Sequence, residues 1–143
     1  MNEKTSTILV IEDHEDVAAL AAYFLRRANY QPVVARDGLE GLRLARTLSP
    51  ALILCDACLP SLNGSELLVL LRADPATARV PFVLMSGYEI ARCSSPMPDA
   101  FLGKPFRSED LLALVRAHIP RLRCAPSRQS NAAPVLETAL SQF

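Results

Sequence analysis

A chain of 143 residues, half of them apolar, can bury a core of its own and fits one domain with residues to spare. Lysine plus arginine and aspartate plus glutamate balance at 15 each, so there is neither the basic field that holds nucleic acid nor the acidic excess of a solvating, disordered chain. The first apolar run ends at Glu12 and Asp13, too short for a signal sequence, and no later run approaches the roughly 18 residues of a membrane span, so a cytoplasmic chain away from membranes is expected.

Residues 7–11, TILVI, read as a strand, and Val17, Leu20, Ala21, Phe24 and Ala28 then recur at helical spacing. Residues 32–35, PVVA, predict a second strand, followed by a helix with Leu39, Leu42, Ala45 and Leu48 on one face, which Ser49-Pro50 ends. A third unit pairs the strand 51–55, ALILC, with a helix over 65–73, and Asn63-Gly64 between them predicts a turn with positive φ. Residues 81–85, PFVLM, open a fourth unit whose helix should be short or irregular, because Pro96 and Pro98 fall before the next strand. The fifth unit runs from AFL at 100–102 through Lys104-Pro105 to Ser108, read as the N-cap of EDLLALVRAHI. Residues 120–143 then turn proline-rich and polar and are expected to form a flexible tail, with a marginal helical turn over 135–142. That tail cannot hold an effector domain or a helix-turn-helix, so no nucleic-acid partner is expected.

Strands that are apolar along their whole length suit a parallel sheet covered on both faces, and five such units predict an open, doubly wound α/β domain over residues 1–119. Ligands of these folds bind beyond the carboxyl ends of the strands. There the chain places Glu12, Asp13, Asp56, Ser86 and Lys104. Clustered carboxylates repel unless a cation joins them, and oxygen donors suit Mg²⁺, which keeps open positions for water and phosphate. A dication, a lysine and a hydroxyl together can neutralise a phosphoryl group in transfer, with Asp56 as the nucleophile.

The segments ILVIEDHED (8–16), ILCDACLPSLNG (53–64), VLMSGY (83–88) and FLGKPF (101–106), in this order, resemble the receiver domain of two-component response regulators, here of the single-domain type. The resemblance covers residues 7–119 and implies a flavodoxin-like (βα)5 fold with strand order 2-1-3-4-5. It implies that Asp56 accepts a phosphoryl group from a histidine kinase or a histidine phosphotransfer protein, and that the domain is a signalling module, not an enzyme. Glu12, Asp13, Asp56 and the backbone carbonyl of Cys58 would bind Mg²⁺ or Mn²⁺, Ser86 would hydrogen-bond the phosphoryl group, and Lys104, before a cis proline, would pair with it. Ser86 and Phe101 would form the switch that alters a protein-interaction surface, with the downstream target unidentified. Ala18, Ala19 and Ala22 on the first helix would offer a smooth surface to the donor.

Other readings stand beside this one. The domain could be a receiver-like interaction module that takes no phosphate, or, more remotely, an aspartate-nucleophile phosphohydrolase, although those enzymes place a second acid where Cys58 stands. Cys55 and Cys58 straddle a strand end, unlike the helix-start position of redox pairs, and the spacing to Cys93 and Cys124 does not suit zinc. His14 and His118 are expected at the surface or at helix ends rather than as ligands.

Overall fold

The computed structural model describes residues 5–87 and 96–119. Strands β1 (Thr7–Ile11), β2 (Gln31–Ala35), β3 (Leu52–Asp56), β4 (Phe82–Ser86) and β5 (Ala100–Gly103) form one parallel sheet in the order β2-β1-β3-β4-β5. Among the described residues four helices accompany it, α1 (Glu15–Arg27), α2 (Gly38–Leu48), α3 (Gly64–Ala73) and α4 (Ser108–His118). The winding reverses between β1 and β3, so the crevice of the fold opens at their C-terminal ends.

The period of two along each strand explains why these runs are apolar throughout. Ile8, Val10, Leu52, Leu54, Val83, Met85 and Leu102 point to one face and meet Ala21 and Leu25 of α1 and Leu111 and Val115 of α4. Leu9, Ile11, Ile53, Cys55, Phe82 and Leu84 point to the other and meet Ala45 of α2 and Leu67, Leu68 and Leu71 of α3. Burying each of the larger side chains stabilises the fold by about 1.5–3 kcal/mol before conformational entropy is set against it.

Two helices turn most of the predicted stripe inward, with Val17, Ala21 and Phe24 of α1 and Leu42 and Ala45 of α2 at the core, but leave Leu20, Leu39 and Leu48 outside it. On α1 the buried residues are Ala18, Ala21, Ala22 and Leu25, and Leu20 is 44% exposed. On α2 they are Gly38, Gly41 and Ala45, and Leu39 is 58% exposed. Small residues turn inward because these helices lie close to the sheet. A Cβ on Gly41 would stand 2.5 Å from Ile11 Cδ1, and one on Gly38 would fall on the carbonyl oxygen of Leu62.

Asn63-Gly64 is not a positive-φ turn. Asn63 (φ −76°) caps α3 by accepting from Glu66 N–H at 2.9 Å, and Glu66 accepts in return from Asn63 N–H at 3.0 Å. The left-handed residue of this loop is Ser61, at φ 64°. α4 starts one residue after its cap Arg107, so Ser108 is the first helical residue instead of the cap. The expected irregular helix of the fourth unit lies largely outside the described residues, as does the 120–143 tail.

Gly38→Ala should lower the unfolding free energy in urea by about 2–3 kcal/mol, since its obstacle is backbone. Gly41→Ala should cost about 1 kcal/mol, because the Ile11 side-chain end can turn away and alanine regains helix propensity.

Candidate functional site

Strand parity and register bring the site together. Glu12 follows Ile8 and Val10 on the α1/α4 face, Asp56 follows Leu52 and Leu54, and Lys104 follows Leu102. Ile11 is paired with Cys55, so Glu12 and Asp56 stand side by side one step further. The strand ends are tethered by backbone bonds from Glu12 N–H to Ala35 O (3.0 Å), Ala57 N–H to Met85 O (2.8 Å) and Lys104 N–H to Ser86 O (2.9 Å). The β3–α3 loop closes through Gly64 N–H to Ala57 O at 3.1 Å, and a Cβ on Gly64 would lie 2.8 Å from Asp56 O.

Lys104 Nζ stands 3.0 Å from Glu12 Oε1 and 3.0 Å from Asp56 Oδ1. Both carboxylates are buried, and one ammonium joins them at the edge of an apolar sheet. Burial pushes that ammonium down, but the hydrogen bonds and charges of Glu12 and Asp56 outweigh it and hold Lys104 above the ordinary lysine range. The neighbouring Cys55 thiol is buried and pushed well up, first by desolvation and then by the charges of Asp56 and Glu12, which leaves it an inert packing group.

Glu12, Asp13, His14 and Asp56 each place a donor atom within 4.8 Å of the others. Asp13 Oδ1 is a buried oxygen with no hydrogen-bond donor among the described residues; the imidazole Nδ1 of His14 is 3.5 Å away. An orphaned carboxylate oxygen among three acids fits a hard dication such as Mg²⁺. His14 lies where expected, at the surface and at the start of α1, but beside the acids. It is exposed, yet its Nδ1 lies 3.2 Å from Glu12 Oε2, and its backbone N–H donates to the same oxygen at 3.2 Å. The sequence signal was a histidine directly after a strand-end acidic pair.

The other expected residues fall around this cluster. Ser86 ends β4 and is half-buried, Phe101 is half-buried against the Leu84 side of the core, and Cys58 is exposed in the loop after Asp56. The Lys104-Pro105 bond is cis. Of the alanines expected to form a smooth α1 surface, Ala18 and Ala22 are buried against the sheet and only Ala19 faces out. His118 ends α4, with its Nδ1 2.9 Å from Leu114 O.

Residues 8–116 match the model of the response regulator receiver domain. The chain belongs to this family. It is 30% identical over 139 residues to the DNA-binding response regulator MtrA of Mycobacterium tuberculosis, which covers 94% of this chain and 60% of MtrA. It is 35% identical over 119 residues to the DNA-binding dual master transcriptional regulator RpaA of a Synechocystis strain, covering 80% of this chain and 49% of RpaA. Among solved structures, the receiver domain of the sensor histidine kinase PA1611 from Pseudomonas aeruginosa, which holds a coordinated magnesium ion in its active-site cleft, superposes with a TM-score of 0.76. It is 25% identical, over 81% of this chain and 98% of that one.

This chain spans about half to three-fifths of the length of these two relatives. Their names correct the expectation that nucleic acid is no partner. Both are DNA-binding regulators, and the balanced charge of a receiver does not bear on what its whole protein binds. Among the described residues, no helix is long and apolar enough to cross a membrane.

In chelator, Lys104→Met should destabilise the receiver by about 2 kcal/mol, since two buried carboxylates lose their cation and the partly exposed lysine limits the cost. A folded pKa above the unfolded one stabilises most below the ordinary lysine value. The difference from wild type in urea melts should therefore persist at neutral pH and vanish only above the ordinary lysine range. Asp13→Asn should stabilise the metal-free protein by up to about 1 kcal/mol, with the gain shrinking when Mg²⁺ is added.

Proposed function

We propose that this receiver takes a phosphoryl group from a phosphohistidine donor onto Asp56. The observation that carries the reading is the ammonium of Lys104, 3.0 Å from Asp56 Oδ1 and from Glu12 Oε1 at the mouth of the crevice. A carboxylate oxygen of Asp56 attacks the phosphorus, the bond to the donor's imidazole nitrogen breaks, and that nitrogen keeps the electron pair. The product is an acyl phosphate. Lys104 is already placed to pair with the added negative charge, and it needs little rearrangement to do so.

Glu12, Asp13, Asp56 and the Cys58 carbonyl would hold Mg²⁺ or Mn²⁺, which when bound neutralises charge on the phosphoryl oxygens. Ser86, at the end of β4, is the hydroxyl that hydrogen-bonds the phosphoryl group once it is attached. Phe101, opposite Leu84 in the register, is the aromatic that repacks when Ser86 moves, so the signal leaves through β4 and β5. The domain turns over no separate substrate in this reading, and a cytoplasmic location is part of it. A phosphohydrolase is disfavoured because the position two residues after Asp56 carries the thiol of Cys58 instead of an acid.

Intact-mass spectrometry after incubation with a small phosphodonor should show a single phosphoryl adduct that requires Mg²⁺ and is absent from Asp56→Asn. Lys104→Met should form it far more slowly. A folded wild-type protein that gains no adduct under these conditions would instead be a phosphate-independent interaction module.

A further inference from the structure

We propose that His14 is a ligand of the strand-end metal site and gives it a mixed nitrogen and oxygen donor set that favours imidazole-preferring transition-metal dications, such as Co²⁺, Ni²⁺ or Zn²⁺, over Mg²⁺. The inference rests on reading the Glu12, Asp13 and Asp56 cluster as a metal site, and it names the metal class that site selects.

Distances carry it. Neighbouring ligands at about 2.1 Å from a first-row dication stand about 3 Å apart. His14 Nδ1 is 3.2 Å from Glu12 Oε2 and 3.5 Å from Asp13 Oδ1, so one nitrogen and two oxygens already have nearly that spacing. Asp13 Oδ1 is the buried oxygen without a hydrogen-bond donor among the described residues. Asp56 supplies a fourth donor within the same 4.8 Å group.

Glu12 divides its two oxygens. Oε1 faces Lys104 and Oε2 faces His14, so a metal on the histidine side leaves the lysine contact in place. The metal takes the place of a proton on Nδ1, and the ring keeps its hydrogen on Nε2. An imidazole nitrogen raises affinity along the transition-metal series far more than it does for Mg²⁺, which prefers oxygen. Local order supports the geometry: the backbone N–H of His14 donates to Glu12 Oε2, and its carbonyl accepts from Ala18 N–H at 3.0 Å as α1 begins. The residue that carries the imidazole is therefore held at both backbone ends, although the ring itself is exposed.

Proton NMR of the whole chain loaded with Co²⁺ tests this directly. The chain has two histidines, and His118 lies at the C-terminal end of α4, at the opposite edge of the sheet. One strongly shifted, exchangeable imidazole proton should appear in wild type and in His118→Ala and be missing from His14→Ala. Circular dichroism should show that all three are folded, and the absence of thiolate-to-cobalt absorption should exclude the cysteines as ligands. In calorimetric titrations, the ratio of Co²⁺ to Mg²⁺ affinity should fall by about tenfold or more in His14→Ala. Co²⁺ bound without the shifted proton, or an affinity ratio that His14→Ala leaves unchanged, overturns the inference while the oxygen-ligand site stands. If folded wild type binds neither Co²⁺ nor Mg²⁺, the metal reading of the cluster falls, and His14 as a ligand falls with it.

Discussion

Two buried carboxylates, Glu12 and Asp56, share one ammonium, and much of the structure serves to hold that arrangement. At the edge of an apolar sheet, charges attract and repel more strongly than in water, and each is costly to bury unpaired. Replacing a buried ion pair by well-packed apolar residues is often neutral or stabilising, so stability alone does not explain these charges. In the proposed reading, the charges hold a nucleophile and its counter-charge in fixed positions for an incoming group that brings more negative charge. Any stability given up there is the usual trade of a functional site.

The rest of the fold limits how far these groups can stray. Five strands packed on both faces form a stiff sheet, and backbone bonds tie the ends of β1, β3 and β5 to their neighbours. α2 lies so close to the sheet and the β3–α3 loop that Gly38 and Gly41 have no room for a side chain, and Gly64 is as tightly confined beside Asp56. Backbone oxygens of Leu62 and Asp56 stand against Gly38 and Gly64, and such contacts deform less than the Ile11 side chain that confines Gly41. On the β4–β5 side, Ser86 and Phe101 are only half-buried, which leaves room for the repacking proposed for them.

Much of this was legible before any coordinates. Uniformly apolar strands alternating with helices imply a covered parallel sheet, and such a sheet has one functional edge, where Glu12, Asp13, Asp56, Ser86 and Lys104 all fall. The helix stripes were read only in part. Val17, Ala21, Phe24, Leu42 and Ala45 face the core as their spacing implies, but close packing also draws in Ala18, Gly38 and Gly41 and leaves Leu20 and Leu39 in solvent. Asn63 was assigned to a turn when its side chain caps α3, because both roles favour asparagine beside glycine and only the position of Glu66 separates them. The exclusion of nucleic acid failed because composition describes the residues at hand, whereas the DNA-binding relatives are longer than the part this chain matches.

The amino-acid sequence by itself determined the fold class, the edge of the sheet that does chemistry, and the residue types available there. Those follow from local periodicity and from where each apolar run stops, information held within a few neighbouring residues. Only the tertiary structure decided which groups meet. Register and parity between strands far apart in the chain set Lys104 against both Glu12 and Asp56, whereas the turn of His14 toward Glu12 is a local contact at the end of β1. Distances of the first kind depend on how strands align and how closely helices approach the sheet, and no stretch of sequence encodes them locally.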